Sequence, residues 1–505
     1  MADTTIISLL QGDLSSRHIH FVGIKGTGMA ALVEILHSRG ANITGSDVPD
    51  TFYTDSILEK LHIKVYTEFS EKNISENVSL VIYSSAYNKD KNPDLCEAQR
   101  RNIPIVLYSD ALGAISGTTY SCGIAGVHGK TTTTGLTGTL IKACDLPAQV
   151  LAGSLIPSFT SDSAGSCTIS LGHDFFVAET CEYQRHFMSF HPQKIILTSV
   201  EPDHQDYYPE FKDIQNAFID YISLLPEGGE VFYCADDVGA CDTITKILQT
   251  RSDITAIPYG EKAEGSYAIT SITIEDGMQK FKLAGFDIIF SLNLPGKHTV
   301  LDSVAAIALT ISLYKDYCKS KQGDFSLSHL LPKIQNGLFA YKGSKRRSEI
   351  IGKTDSIIFI DDYGHHPTAI KTTLAGYKAF YKDYLLVVDF MSHTYSRTAA
   401  LLEDFAASFS SADKVFLHKI YASARETYDG SVTGELLAEH TKKYHQAVTY
   451  IPEVLDAFEE IKNILEKELP QDKKGYVFVS MGAGDNWKLG KKLYEYFSSV
   501  NKSKS

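Results

Sequence analysis

Short, mostly apolar runs recur along the chain and alternate with stretches patterned as helices. "HIHFVGI" (18–24), "NVSLVIYSS" (77–85) and "IPIVLY" (103–108) read as strands of a first unit. "CGIAGV" (122–127), "FFVAET" (175–180), "KIILTSV" (194–200) and "EVFYCA" (230–235) read as a second. "DSIIFID" (355–361), "YLLVVDF" (384–390), "KVFLHKI" (414–420) and "YVFVSM" (476–481) make a third. Strands alternating with helices predict an α/β protein whose parallel sheets are joined by crossover helices. Boundaries fall near "AISGTTY" and "KGSKRRSEI", dividing the chain into 1–118, 119–346 and 347–505. There is no internal repeat, and the one biased segment is a polar Ser/Lys tail at 498–505.

The polar motifs follow the strands: "GIKGTGM", "GVHGKTT", "ETCEY", "EPDHQD", "DDYGHHP", "FMSHTYSRT" and "MGAGDN". Ligands of open parallel sheets gather beyond the carboxyl ends of the strands. Three units with those edges facing one another would form a cleft for several substrates.

Composition narrows the class. A chain of 505 residues, 43% hydrophobic with 28 Tyr and 25 Phe, has core material for about three domains. The net charge of −13 argues against a general nucleic-acid binder, though local cations can still bind a small anion. The eight cysteines include no C-x-x-C pair, which fits reduced thiols in a cytoplasmic protein. The N-terminus lacks a basic leader, and no apolar run reaches the ~20 residues that span a bilayer, so no membrane insertion is expected.

Two glycine-rich turns point to phosphate. The first, Gly26-x-Gly28-x-x-Ala31, follows a strand and has Asp47 19 residues after Gly28. That is where a dinucleotide site keeps its ribose acid, so an NAD-dependent oxidoreductase is one reading, and close helix–strand packing is another. The second turn is more specific: Gly126, Gly129, Lys130, Thr131 and Thr132 lie between a strand and a helix. Its backbone N–H groups would cradle phosphates, Lys130 would neutralise the β- and γ-oxygens, and Thr131 could reach Mg²⁺. It is shorter than the full motif, with Ile124 where a further glycine would stand. ATP with Mg²⁺ is the expected cofactor pair. Glu179 and the Asp203-His204 pair, each just past a strand, are candidate metal-side groups or ordinary helix caps.

"IDDYGHHP" gathers Asp361, Asp362, His365 and His366 in one turn. Adjacent histidines point in different directions, which favours hydrogen bonding to a ribose or amine over joint chelation. "FMSHTYSRT" supplies His393 and Arg397, and an arginine fork suits a carboxylate. Lys342, Lys345, Arg346 and Arg347 form either a solvated linker or an anion clamp between units.

Taken together and in this order, the motifs resemble the ATP-dependent muramyl ligases of peptidoglycan synthesis. The likeness runs from "HIHFVGIKGTGMAAL" to "MGAGDN", with "ETCEYQRHF", "LPGKHTVLDSVAA", "DDYGHHPTAI", "SHTYSRTAALLEDFA" and "IYASARE" as its markers. It implies a Rossmann-like first domain for a UDP-sugar, a P-loop ATPase-like central domain and a Rossmann-like third domain for the amino acid. By that resemblance Gly23, Gly26 and Gly28 face the UDP diphosphate with Asp47 beside them. Lys130 and Thr131 carry over to phosphate and Mg²⁺, and Glu179 and His204 to the metal shell, His204 also bordering substrate. His298 and Asp302 fall on the adenine side, Asp362 near the ribose and Arg347 near phosphate. His366 and Arg397 fall in the alanine region as catalytic candidates with Lys130, and His393 as a substrate contact.

The first turn and "DDYGHHP" favour the member acting on UDP-N-acetylmuramate and L-alanine, as a monomer or homodimer. A relative that recycles murein tripeptide remains open. A non-catalytic sugar-nucleotide sensor is a further alternative. Thr299 and Asp302 stand where the family carries asparagines, Ser199 where it commonly has asparagine, and "FMSH" replaces "FQPH". A carboxylate only accepts hydrogen bonds, so an ionised Asp302 would keep half of an asparagine's adenine readout.

Overall fold

A computed structural model describes residues 4–160, 165–205, 207–275, 277–422 and 430–502. Asp206 of "EPDHQD", the end of "IYASARE" from Ser423 and the last three residues of the tail lie outside the described residues.

The first sheet is wholly parallel, in the order Lys64–Tyr66, Asn42–Ser46, His18–Val22, Leu80–Tyr83, Ile105–Leu107. The chain builds outward on one side of His18–Val22, then crosses to the other. The loop after this strand, "GIKGTGM", therefore lies at the switch point where such sheets bind ligands.

The second sheet runs Thr255–Tyr259, Glu230–Cys234, Lys194–Leu197, Tyr120–Ala125, Phe175–Glu179, Ala148–Ile156, Ser166–Ser170. Its last pair is antiparallel and the others parallel. Tyr120–Ala125 is central and feeds the second glycine turn into the helix Lys130–Ala143. That helix is buried along most of its length, sharing a core through Leu136 and Leu140 with Val304 and Ile307 of the 24-residue helix Lys297–Ser320. An antiparallel sheet of Ile269–Glu275, Met278–Leu283 and Ile289–Leu292 packs onto the same core.

The third sheet runs Glu349–Lys353, Ile357–Asp362, Gly475–Gly482, Tyr384–Met391, Lys414–Leu417, Val448–Tyr450, with only the Glu349–Lys353 edge antiparallel. The expected α/β class, with mainly parallel sheets, holds in all three units.

Every run read as a strand contains one, but several end early. "KIILTSV" stops as a strand at Leu197 because Thr198 and Ser199 turn to the glycine loop. The Thr198 N–H donates to Ala125 O at 3.0 Å, and the Ser199 hydroxyl accepts from the His128 N–H at 2.9 Å.

The carboxylate of Asp47 is consumed within the first unit. It accepts from the Lys25 N–H at 2.7 Å, the Val48 N–H at 2.8 Å and the Tyr87 hydroxyl at 2.9 Å. These bonds brace the first turn from within. Asp47→Ala leaves two backbone donors without this acceptor, at about 1–3 kcal/mol each where they stay dry. Faster amide exchange at Lys25 and Val48, with the second and third sheets unchanged, is the expected result.

Candidate functional site

The second glycine turn closes on its neighbours too tightly for side chains. Gly126 has φ +139°, and a Cβ there would meet Thr198 Oγ1 at 2.0 Å. Gly129 has φ +80°, and a Cβ would lie 2.6 Å from Asp302 Oδ1. Helix Lys130–Ala143 starts directly behind Gly129, with no side chain capping its first N–H groups. Such an end attracts an anion.

Lys130 folds back on this loop. Its ammonium donates to the carbonyls of Gly126 and Val127 and to Glu182 Oε2 at 2.9 Å. Burial works against the charge, but Glu182 and Glu179 outweigh it and hold the pKa above the usual lysine value. Glu182 also faces His204 Nε2 at 3.3 Å, and Tyr208 donates to its backbone carbonyl. Burial would raise the Glu182 pKa, yet Lys130 and His204 bring it below the ordinary carboxylate value. Glu182 is the second acid of "ETCEY", three residues beyond Glu179, and that repeat of acids is its one sign in the sequence.

Glu179 ends its strand beside the loop, accepting from the Thr131 hydroxyl at 3.0 Å and the Gly153 N–H at 2.8 Å. Two hard oxygens thus meet at the head of the helix, the donor type Mg²⁺ takes. His204 stands with Glu182 rather than with this pair.

A cavity of about 380 Å³ opens between the second and third units. Gly129, Lys130, Thr131, Thr132, Glu179, His298, Asp302, Arg347 and Asp362 all line it, whereas Gly126, His204, His366, His393 and Arg397 do not. Asp362 accepts from the N–H groups of Ser348 and Gly364, at 2.7 and 2.8 Å. Arg347 lies over the Tyr363 ring at 5.1 Å. Arg346 is instead a structural tie, bonded to Asp361 and to the carbonyls of Gly482 and Gly484.

The third unit meets the second through Arg397, whose Nη2 donates to Asp203 Oδ1 at 2.9 Å. Burial opposes the Asp203 charge, but Arg397 and His204 hold its pKa well below the usual range. Asp203 thus pairs with Arg397 across the two units while also lining the cavity. His366 is buried 5.0 Å from the His128 ring, and burial lowers its pKa. His393 packs its ring against His365 and Tyr421.

A second cavity of about 250 Å³ lies at the first turn, lined by Gly26, Gly28, Ser84, Ser85, Tyr108 and His186 among others. Gly23 is not among them; its N–H donates to Ser46 O, inside the turn. His186 belongs to the second unit, and Tyr108 packs beneath Gly28. Neither was legible as a site residue: Tyr108 reaches the turn only through packing within the first unit, and His186 only where the second unit meets the first.

Asp302 revises an expectation. It is buried, its one hydrogen bond among the described residues comes from Thr133 at 3.1 Å, and burial pushes its pKa up to about 8. A protonated carboxyl carries both a donor and an acceptor, so near neutral pH it can match an asparagine's two-way readout. An acid raised this way costs stability as pH climbs from the unfolded value toward the folded one. Asp302→Asn should therefore raise the melting temperature more at about pH 8 than at about pH 5. An equal gain at both pH values would contradict this environment.

Comparison with known proteins bears on these two cavities. Residues 18–120 match the model of the Mur ligase family, catalytic domain. Residues 124–310 match the Mur ligase middle domain, and 346–484 the Mur ligase, glutamate ligase domain. The UDP-N-acetylmuramate–L-alanine ligase of Treponema pallidum is 50% identical over 97% of this chain and 98% of its own. The UDP-N-acetylmuramate–alanine ligase structure from Thermotoga maritima superimposes with a TM-score of 0.73 at 24% identity, covering 96% of this chain and 99% of that one. A murein peptide ligase from Psychrobacter arcticus gives 0.60 at 21% identity, covering 95% and 98%. The phosphate loop, the three α/β sheets and these matches along nearly the whole chain place it in the Mur ligase family.

Proposed function

We propose that this chain joins the amine of L-alanine to the lactyl carboxylate of UDP-N-acetylmuramate, converting ATP to ADP and phosphate, in the cytoplasmic synthesis of peptidoglycan precursors. The observation that carries the reading is the shared cavity, in which the phosphate loop and Glu179 of the second unit face Arg347 and Asp362 of the third. The whole-length relative from Treponema pallidum supports the choice of substrates. We take 1–118, 119–346 and 347–505 as the units that bind UDP-sugar, ATP and amino acid, in a monomer or homodimer.

A carboxylate does not react with an amine, because its leaving group would be oxide. Transfer of the ATP γ-phosphoryl group to it gives an acyl phosphate, whose leaving group is phosphate. That step brings two anions together, so cations must be in place first. Among the described residues Lys130 is held by loop carbonyls and Glu182, and phosphate oxygens can replace the carbonyls. Thr131 and Glu179 fit Mg²⁺ as hard oxygen donors. When bound, the ion would neutralise charge on the phosphate oxygens. Arg347 supplies positive charge from the opposite wall.

In the second step the amine attacks and the tetrahedral intermediate collapses to amide and phosphate. Arg397 would bind the alanine carboxylate in exchange for part of its hold on Asp203. His366, neutral because burial lowers its pKa, can take the proton the amine sheds. The third unit closing on the second excludes the water that would hydrolyse the intermediate. A nicotinamide reaction would leave Lys130 and the shared cavity without a role, and the inward-facing Asp47 removes its ribose acid.

Phosphate release should require both UDP-N-acetylmuramate and L-alanine; release with murein tripeptide but not alanine would move the chain to the recycling activity. Lys130→Ala should lower kcat about a thousandfold or more with an unchanged circular dichroism spectrum. Arg397→Lys should raise the KM for L-alanine about tenfold or more while leaving that for ATP near its original value. Equal changes in both KM values would remove Arg397 from the alanine site.

A further inference from the structure

Two groups that the proposed mechanism does not use, His128 and Glu201, stand beside His366. His128 sits inside the phosphate loop, Glu201 follows the strand Lys194–Leu197, and His366 precedes the helix Pro367–Phe380 of the third unit. One potential ligand atom from each lies within 4.8 Å of the other two. Neither ring nitrogen of His366 has a hydrogen-bond partner among the described residues, and the residue is only 7% exposed. His128 Nε2 is likewise unpartnered, with Glu201 Oε2 at 3.8 Å, too far for a hydrogen bond. Buried polar atoms left this way are costly, and these converge on one point.

We infer that His128, Glu201 and His366 form a binding site for a divalent transition-metal ion of the zinc type, which clamps the third unit onto the second. Two imidazole nitrogens, which are borderline donors, beside one carboxylate oxygen suit zinc, cobalt or nickel better than Mg²⁺. Three protein ligands leave the fourth tetrahedral position open. Zinc bonds of about 2.0–2.1 Å require ligand atoms somewhat closer than they now stand, within reach of small side-chain rotations. The His366 ring, which no hydrogen bond restrains, is free to make one. Burial lowers the pKa of both imidazoles, that of His128 to about 3, so both keep the lone pair a metal needs at neutral pH.

Two ligands come from the second unit and one from the third, so an occupied site holds the two together across the cavity. It also withdraws His366 from the proton transfer proposed above. Zinc should therefore inhibit turnover while Mg²⁺ supports it; this consequence rests on the proposed ligase reading, whereas the site does not.

The test is a Co²⁺ titration of the full chain in excess Mg²⁺, without nucleotide or sugar, read by visible absorption. One equivalent should give the d–d bands of a four- or five-coordinate site. Glu201→Gln and His366→Asn should each weaken binding about tenfold or more, and Glu179→Gln should not change it. Melting temperatures show that each variant is folded. No bands in the parent chain, bands indifferent to Glu201→Gln and His366→Asn, or bands lost in Glu179→Gln would each overturn the site. Because no ligase substrate is present, failure here leaves the proposed reaction standing, and failure of that reaction leaves the site standing.

Discussion

The structure turns on a buried ammonium at the head of a helix. Lys130 must stay charged to meet phosphate, yet burial opposes that charge, so the fold surrounds it with oxygens. Glu182 pairs with it directly, and Glu182 is in turn fixed by His204. The glycines at 126 and 129 allow the loop carbonyls and N–H groups to come this close, since a Cβ at either would strike Thr198 or Asp302. A single electrostatic demand thereby sets the strand ends, the loop and the helix start.

The same demand explains why neighbouring strands end where they do. Thr198 and Ser199 leave their strand to hold the loop from one side, while Glu179 holds Thr131 from the other. The third unit adds what the second lacks: Arg347 toward the cavity and Arg397 against Asp203. The groups proposed for the reaction are split between two units, so moving one against the other would assemble and release them.

The chain's own pattern disclosed most interior strands, though not Ala148–Ile156, and it disclosed the glycine turn that opens the helix Lys130–Ala143, because buried strands are apolar and such a turn needs glycine. The antiparallel sheet at 269–292 escaped, since its first strand is largely exposed and carries no apolar run; the Asp276-Gly277 pair between two β-rich stretches was the available sign. Narrow edge strands such as Lys64–Tyr66 and Val448–Tyr450, of three residues each, carry too little pattern to stand out. Site residues that depend on packing between units were also hidden. Nothing in the spacing pairs Arg397 with Asp203, brings His366 to His128 or turns Asp47 inward. The protonation of Asp302 is a property of its burial and has no counterpart in the order of residues.

In the proposed reaction the sugar nucleotide's carboxylate becomes an acyl phosphate in the cleft between Lys130 and Arg347. The most direct measurement follows oxygen from UDP-N-acetylmuramate labelled with heavy oxygen in its lactyl carboxylate, incubated with ATP, Mg²⁺ and L-alanine. One labelled oxygen should appear in the released phosphate and one should remain in the amide product. Phosphate released without label, alongside product formation, would contradict the account.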